Sequence, residues 1–250
     1  MVRTAAASEL NVAGVTAFST VDWPDMLAAT VFLQGCPWNC FYCHNPALID
    51  PRAQGDTSWA DVVDLLCDRI GLLDGVVFSG GEPTLQRALA PAMDMARSLG
   101  FKIGLHTGGA YPGLLARVLP HVDWVGLDIK ALPGGYDLVT GRPHSAENAW
   151  RSLELVRADQ IFRTGTDRPL DVEVRTTVHP AAIDDAGLRE LGCRLADAGV
   201  EHWAVQRFRD TGVRSPLPRF EAKTGVDAEA STPLALEDLP AERFASLVVR

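Results

Sequence analysis

Three cysteines fall within eight positions, in the run Gly35-Cys36-Pro37-Trp38-Asn39-Cys40-Phe41-Tyr42-Cys43-His44-Asn45-Pro46. The spacing is CxxxCxxC, directly after an apolar stretch. Thiolates are soft ligands suited to iron–sulfur clusters and to zinc. Three ligands on a four-iron cluster leave one iron open, and catalytic metal sites keep such a position for substrate. An electron-transfer cluster would use a fourth cysteine. The other two, Cys67 and Cys193, both fall in predicted helices. Other readings stay open. Positions 36, 40 and 43 have the i, i+4, i+7 spacing of a buried helical stripe, which Pro37 and the loop composition oppose. A zinc site could recruit His44, if adjacent Cys43 and His44 turned onto one metal. A purely redox cluster would use the same thiolates.

A second group of residues sits where a ligand could meet that loop. Ser79-Gly80-Gly81-Glu82-Pro83 follows a short apolar run and opens a helix. Its glycines would let backbone approach a ligand closely, although an ordinary tight turn reads the same way. His106-Thr107-Gly108 ends another strand, and Asp128-Ile129-Lys130 a third. Asp128 and Lys130 alternate with Ile129 and so share one face. A carboxylate beside an ammonium suits a zwitterionic amino acid, and equally a surface ion pair. Arg175 lies within an apolar strand, which is costly unless it is paired. It could meet a ligand carboxylate, or a structural acid such as Glu173 or Asp128. Trp38 could shield a cluster from water. His121, His144 and His202 lack companions at ligand spacing, and His179 reads as a loop residue.

These residues need a scaffold, and the chain alternates strand and helix patterns. Strands are predicted at Ala28–Gln34, Gly75–Ser79, Phe101–His106, Val122–Ile129, Asp171–Val178 and His202–Phe208. Helices are predicted at Ser58–Ile70, Thr84–Leu99, Tyr111–Leu119, Ala146–Ala158 and Asp184–Ala198. Repeated strand–helix units imply a parallel sheet, since parallel strands need crossovers. Ligands bind such sheets at strand C-termini, where the motifs lie. Residues 1–27 read as an N-terminal extension holding a hairpin or edge strand within Leu10–Trp23. Residues 28–208 form the main domain. Residues 209–250 read as a tail with a possible short helix near Leu236–Leu247.

Composition narrows the function classes. The 250 residues carry a formal net charge of −9, against a mainly electrostatic grip on nucleic acid or anionic lipid. No run approaches the length of a membrane span and no secretory signal is evident, so a cytoplasmic protein is expected. Five cysteines, three of them crowded, suit metal or redox chemistry better than a disulfide framework.

CxxxCxxC with an aromatic before the third cysteine resembles the radical S-adenosylmethionine (SAM) superfamily. The wider run, Phe18-Ser19-Thr20-Val21-Asp22-Trp23-Pro24 with Gly35-Cys36 and Tyr42-Cys43-His44-Asn45-Pro46, resembles its glycyl-radical-enzyme activating branch. Within that branch it is most similar to the activating proteins of anaerobic ribonucleoside-triphosphate reductase. The resemblance spans residues 10 to 210. It implies an incomplete parallel (β/α)6 barrel with a lateral cleft for a protein loop, and a 4Fe-4S cluster on Cys36, Cys40 and Cys43. It further implies SAM bound by Gly80, Gly81 and Glu82, with Tyr42 at the adenine and His106, Asp128, Lys130 and Arg175 in the pocket. The chemistry implied is reductive cleavage of SAM to a 5′-deoxyadenosyl radical, which forms a glycyl radical on the reductase. The electron would come from a donor such as flavodoxin or ferredoxin. Some relatives carry a histidine at the last strand end. Here Gln206-Arg207-Phe208 stands there, and that role is not transferred. His44 and Asn45 would hydrogen-bond the cluster or shape its loop. Two alternatives remain: a radical SAM enzyme for another peptide or small molecule, and a non-enzymatic iron–sulfur carrier or sensor.

Overall fold

A computed structural model describes residues 5–213 and 236–250. Among the described residues one eight-stranded sheet runs in sequence order. Its strands are β1 (Val12–Ser19), β2 (Ala28–Leu33), β3 (Gly75–Gly80), β4 (Lys102–Thr107), β5 (Trp124–Asp128), β6 (Asp171–Val178), β7 (His202–Arg207) and β8 (Ser246–Val249). β1 is antiparallel to β2, and every later neighbour is parallel. No pairing joins β1 to β8, so the curled sheet stays open. The six predicted strands are β2 to β7, and together with their crossovers they form the incomplete (β/α)6 barrel.

The crossovers are α1 (Trp59–Cys67), α2 (Leu89–Ser98), α3 (Pro112–Val118), α5 (Ser145–Phe162) and α6 (Asp185–Asp197). A short α4 (Tyr136–Thr140), absent from the sequence reading, precedes α5. Ser58 caps α1 by accepting from Asp61 N while the Asp61 carboxylate returns to Ser58 N. Asp184 caps α6 by accepting from Gly187 N. Each cap satisfies a donor that the first helical turn leaves open. The predicted Thr84–Leu99 helix divides into a 3-10 turn, Pro83–Leu85, and α2.

Strand alternation separates two interiors. Outward residues such as Val76, Phe78, Ile103, Leu105, Val125 and Leu127 are buried beneath the helices. Each such side chain contributes about 1.5–3 kcal/mol. Inward residues make a smaller plug of Trp23, Ala28, Val77 and Trp124. Trp23 comes from the β1–β2 connection and stacks on Trp124 with centroids 5.3 Å apart. The expected tail helix near Leu236–Leu247 is instead two 3-10 turns, Leu236–Asp238 and Ala241–Arg243, followed by β8. The Leu247-Val248-Val249 run pairs with the otherwise open edge of β7, a geometry that suits β-branched residues.

Candidate cofactor and substrate site

A cavity of about 340 Å³ opens at the C-terminal ends of the strands, where Cys36, Cys40 and Cys43 meet Glu82, Asp128 and Lys130. The cysteine loop leaves β2 through Gly35, whose φ of +97° favours glycine. Backbone on three sides fixes it. Gly35 N and Cys36 N donate to Leu48 O and Ile49 O, at 2.8 and 3.0 Å, drawing the returning limb close. Asn39 N and Phe41 N donate to Thr140 O and Val139 O, at 2.8 and 3.1 Å, so α4 supplies the acceptors. These bonds leave no helical stripe through the triplet. His44 Nε2 donates to Arg209 O at 2.8 Å, and its ring stacks on Phe208. Of the two roles expected for His44, this is loop shaping.

None of the three cysteines is in a disulfide. Burial pushes the Cys36 thiol up to about 12, with Glu82 adding to the shift. Burial likewise raises Cys40. Such thiols ionise only when a strong positive centre replaces water, which is what a bound metal centre does. The donor set therefore fits an iron–sulfur cluster. Among the described residues no three His, Cys, Asp or Glu side chains converge at single-ion spacing. A cubane spreads its ligands over several irons and does not need that convergence. Cys67 is exposed at the end of α1 and Cys193 lies in α6, so neither lines the cavity.

The Gly-Gly-Glu turn is built against the cysteine loop. A Cβ on Gly81 would lie 2.2 Å from Gly35 O, and one on Gly80 2.2 Å from Leu33 N. The close approach that these glycines permit is therefore to protein backbone, as well as to any ligand. Glu82 N donates to Gly35 O at 2.8 Å. The Glu82 carboxylate accepts from Thr84 N, Thr84 Oγ1, Thr107 Oγ1 and Gly108 N. Three of these bonds fall on Oε1 and one on Oε2, so Oε2 keeps accepting capacity on the cavity wall. Burial raises the Glu82 pKa despite these donors.

Lys130 Nζ bonds Asp128 Oδ2 at 2.8 Å and lies 6.0 Å from the Trp38 ring centroid. Lys130 N donates to Tyr136 Oη at 3.0 Å, so α4 anchors this strand end too. Burial opposes the Asp128 charge, but the Lys130 charge and hydrogen bond, together with the Arg175 charge, hold the carboxyl below its ordinary value. The pair is thus a wall of the cavity and not a surface ornament. Tyr42 is buried among Phe41, His179 and Phe208, and its hydroxyl has no partner among the described residues. His179 belongs to this aromatic cluster and is more than a loop residue.

His106 and Arg175 depart from expectation. Arg175 Nε donates to Glu173 at 2.7 Å and Nη2 to Asp22 O at 2.7 Å, while Nη1 meets His106 Nε2 at 2.8 Å. Its guanidinium also covers the Trp124 ring at 4.9 Å. His106 Nδ1 meets Ser79 Oγ at 3.2 Å. Burial, then Arg175, lowers the imidazole to about 3, so it is neutral. Both side chains line the cavity, but every nitrogen already has a partner inside the protein. Of the two fates open to Arg175, the structural acid Glu173 is the one realised. Sequence reasoning missed Asp22, Ser79, Thr107, Tyr136, Thr177 and Gln206. Asp22, Ser79, Thr107 and Gln206 sit inside runs already singled out, which was the available signal.

Residues 30–180 match the profile of the Radical SAM superfamily. A Methanocaldococcus jannaschii protein named as a glycyl-radical enzyme activating enzyme is 29% identical over 206 residues, 79% of each chain. The pyruvate formate-lyase-activating enzyme of Clostridium pasteurianum is 32% identical over 136 residues, covering 51% of this chain and 56% of that one. A PqqA peptide cyclase of Xanthomonas axonopodis is 35% identical over 131 residues, 49% of this chain and 34% of its own. Among solved structures, TYW1 with a lysine-pyruvate adduct aligns with a TM-score of 0.53 at 15% identity, over 76% of this chain and 67% of that one. Streptococcus suis SuiB bound to S-adenosylmethionine aligns at 0.52 and 14%, over 72% and 41%. These two likenesses concern the fold.

Proposed function

The chain belongs to the radical SAM superfamily, as an enzyme of its glycyl-radical-enzyme activating branch, and on that premise we propose that its target is anaerobic ribonucleoside-triphosphate reductase. A 4Fe-4S cluster and SAM are its cofactors, and when bound they supply a 5′-deoxyadenosyl radical able to take a hydrogen atom from a glycine α-carbon. Cys36, Cys40 and Cys43 would hold the cluster. Glu82 Oε2 would accept from the SAM ammonium. Lys130 would face its carboxylate, with Asp128 setting the lysine's position. Gly80 and Gly81 keep that wall thin, and Tyr42 would present its backbone and ring to the adenine. Trp38, buried inside the loop, would shield the cluster from water.

One observation carries the reading. A single cavity is walled by three cysteines outside any disulfide and, facing them, by the Gly-Gly-Glu turn and the Asp128–Lys130 pair. No general base is required for hydrogen abstraction. A glycyl-radical enzyme is the partner. The reductase as that partner rests on the residue pattern around Asp22-Trp23-Pro24 and the cysteines. An electron donor of the flavodoxin or ferredoxin type and a cytoplasmic site of action complete the proposal. No helix among the described residues is long and apolar enough to cross a membrane.

The test is anaerobic reconstitution with iron and sulfide, reduction, and assay of 5′-deoxyadenosine, with Cys40→Ala as control. The reductase is then added and its glycyl radical is sought by electron paramagnetic resonance (EPR). A radical formed on the reductase by the wild type alone supports the target. SAM cleavage with no radical on the reductase, but with modification of another peptide, would transfer the chemistry to that substrate. A reducible cluster that leaves SAM intact would favour a carrier or sensor.

A further inference from the structure

Below the cysteine mouth, the floor of the cavity sorts its polar groups into two kinds. The charged ones already have partners within the protein. Arg175 is spent on Glu173, His106 and Asp22 O. Glu173 also takes Arg250 at 2.8 Å, and the Asp22 carboxylate accepts from Thr30 Oγ1 at 2.7 Å. Trp124, stacked on Trp23, closes the space beneath them. The uncommitted groups are neutral. Thr177 and Gln206 line the cavity with no hydrogen-bond partner for their side chains among the described residues, and Ser79 has only the imidazole. A ligand reaching this floor therefore meets the Ser79 and Thr177 hydroxyls and the Gln206 amide.

The direction of the Ser79 hydroxyl follows from the imidazole tautomer. His106 Nε2 lies 2.8 Å from Arg175 Nη1 and 2.7 Å from Asp22 O, and it can serve only one of them. A guanidinium cannot give up its proton, so Nη1 must donate. A charge-assisted bond is roughly twice as strong as a neutral one, so Nε2 acts as acceptor for Arg175. Asp22 O is already satisfied by Arg175 Nη2 at 2.7 Å. The ring proton therefore resides on Nδ1 and is donated to Ser79 Oγ. The Ser79 O–H then has no acceptor within the described protein, and the cavity is the space before it.

Ser79 stands one residue before Gly80 on β3, deeper than the Gly-Gly-Glu turn proposed for the SAM ammonium. We infer that Ser79 is a substrate-contacting residue, its hydroxyl turned into the cavity by the Arg175–His106 relay and donated to a peptide carbonyl of the glycine-bearing segment. His106 is then a positioning residue that acts through Ser79. The inference rests on the activase reading, and it adds the group that would hold the glycine's backbone beneath the cofactor.

The experiment uses reconstituted holoenzyme and a capped peptide spanning the radical glycine of an anaerobic ribonucleoside-triphosphate reductase, deuterated at that α-carbon. Deuterium appearing in 5′-deoxyadenosine gives KM and kcat. Peptide binding with SAM but no reductant is read by NMR saturation transfer, and SAM binding by the EPR spectrum of the reduced cluster. Ser79→Ala should raise KM and the peptide dissociation constant about tenfold, the scale of one neutral hydrogen bond left unmade, with a much smaller change in kcat. SAM affinity should hold, and Ser79→Thr should restore the peptide constants. His106→Phe should copy the Ser79→Ala defect, whereas His106→Asn, whose amide nitrogen replaces Nδ1, should recover most of it. Unchanged peptide constants in Ser79→Ala would overturn the inference while the activase reading stands. So would a loss confined to SAM affinity, which would assign the hydroxyl to the cofactor. A wild type that cleaves SAM yet neither binds nor deuterates from the peptide would sink both.

Discussion

Gly81 is the residue at which the two halves of the site touch. Its Cβ position lies 2.2 Å from Gly35 O and 3.0 Å from Leu48 O, both backbone atoms that cannot rotate away. Gly81→Ala must separate the turn from the cysteine loop, breaking the Glu82 N to Gly35 O bond. Overpacking of this kind costs about 1–3 kcal/mol. The expected outcome is a lower melting temperature and reduced iron incorporation on reconstitution, checked by calorimetry and iron analysis. Gly134→Ala, where nothing lies within 4 Å of the new Cβ, is the control that should leave both unchanged. The thiols make a parallel point. Burial drives Cys36 and Cys40 away from ionisation, so the loop holds reactive sulfur inert until a cationic centre arrives.

At the scale of elements, Asp123 is the pin that sets β5 against β4. Its Oδ2 accepts from Ile103 N and Arg97 Nη2, both at 2.8 Å, and its Oδ1 from Arg168 at 3.2 Å. Its own N donates to Ile103 O at 2.8 Å. Burial opposes its charge, but the Arg97 hydrogen bond, the Ile103 N–H and the Arg97 charge together keep the carboxyl below its ordinary value. A lowered folded pKa means that the carboxylate's stabilisation is present above the ordinary carboxylate pKa. It is lost as pH falls through the lower, folded value. Asp123→Asn should therefore cost about 2 kcal/mol at neutral pH, the scale of hydrogen bonds to a charged group. The gap to wild type should close as pH falls through that lowered folded value, where the Asp123 carboxyl becomes as neutral as the Asn amide. Urea unfolding across that range measures it. A constant gap would mean that packing, not charge, is what Asp123 supplies.

For the molecule as a whole, the barrel is closed underneath by Trp23. The residue reaches in from the β1–β2 connection, where Gly75 and Gly104 leave room for its ring. Their Cβ positions would lie 3.0 and 2.8 Å from ring atoms. Trp23→Ala should cost about 3–5 kcal/mol in urea unfolding, as for other buried aromatics. The cavity would also deepen, because Asp22 O, which takes Arg175 Nη2, is carried by the adjacent residue. A loss below about 1 kcal/mol would show that the floor is held by the strands alone.

Much of this was legible along the chain, because the signals are local. Thiol spacing, the Gly-Gly-Glu turn, the Asp128–Lys130 alternation and the β/α periodicity each fit within a few consecutive residues. They predicted the cysteine loop, the six parallel strands and the cavity position. What the chain alone left undecided are choices between partners distant in sequence. Arg175 lies 153 residues from Asp22 and 69 from His106, and His106 lies 27 from Ser79. Whether a buried arginine meets a ligand or a neighbouring acid depends on which groups the curled sheet brings within hydrogen-bond reach. The same holds for Ser246–Val249, a strand here because β7 offers an unpaired edge. The amino-acid sequence by itself determined which chemistry the chain carries; tertiary packing decided which groups are consumed in building the site and which are left to act.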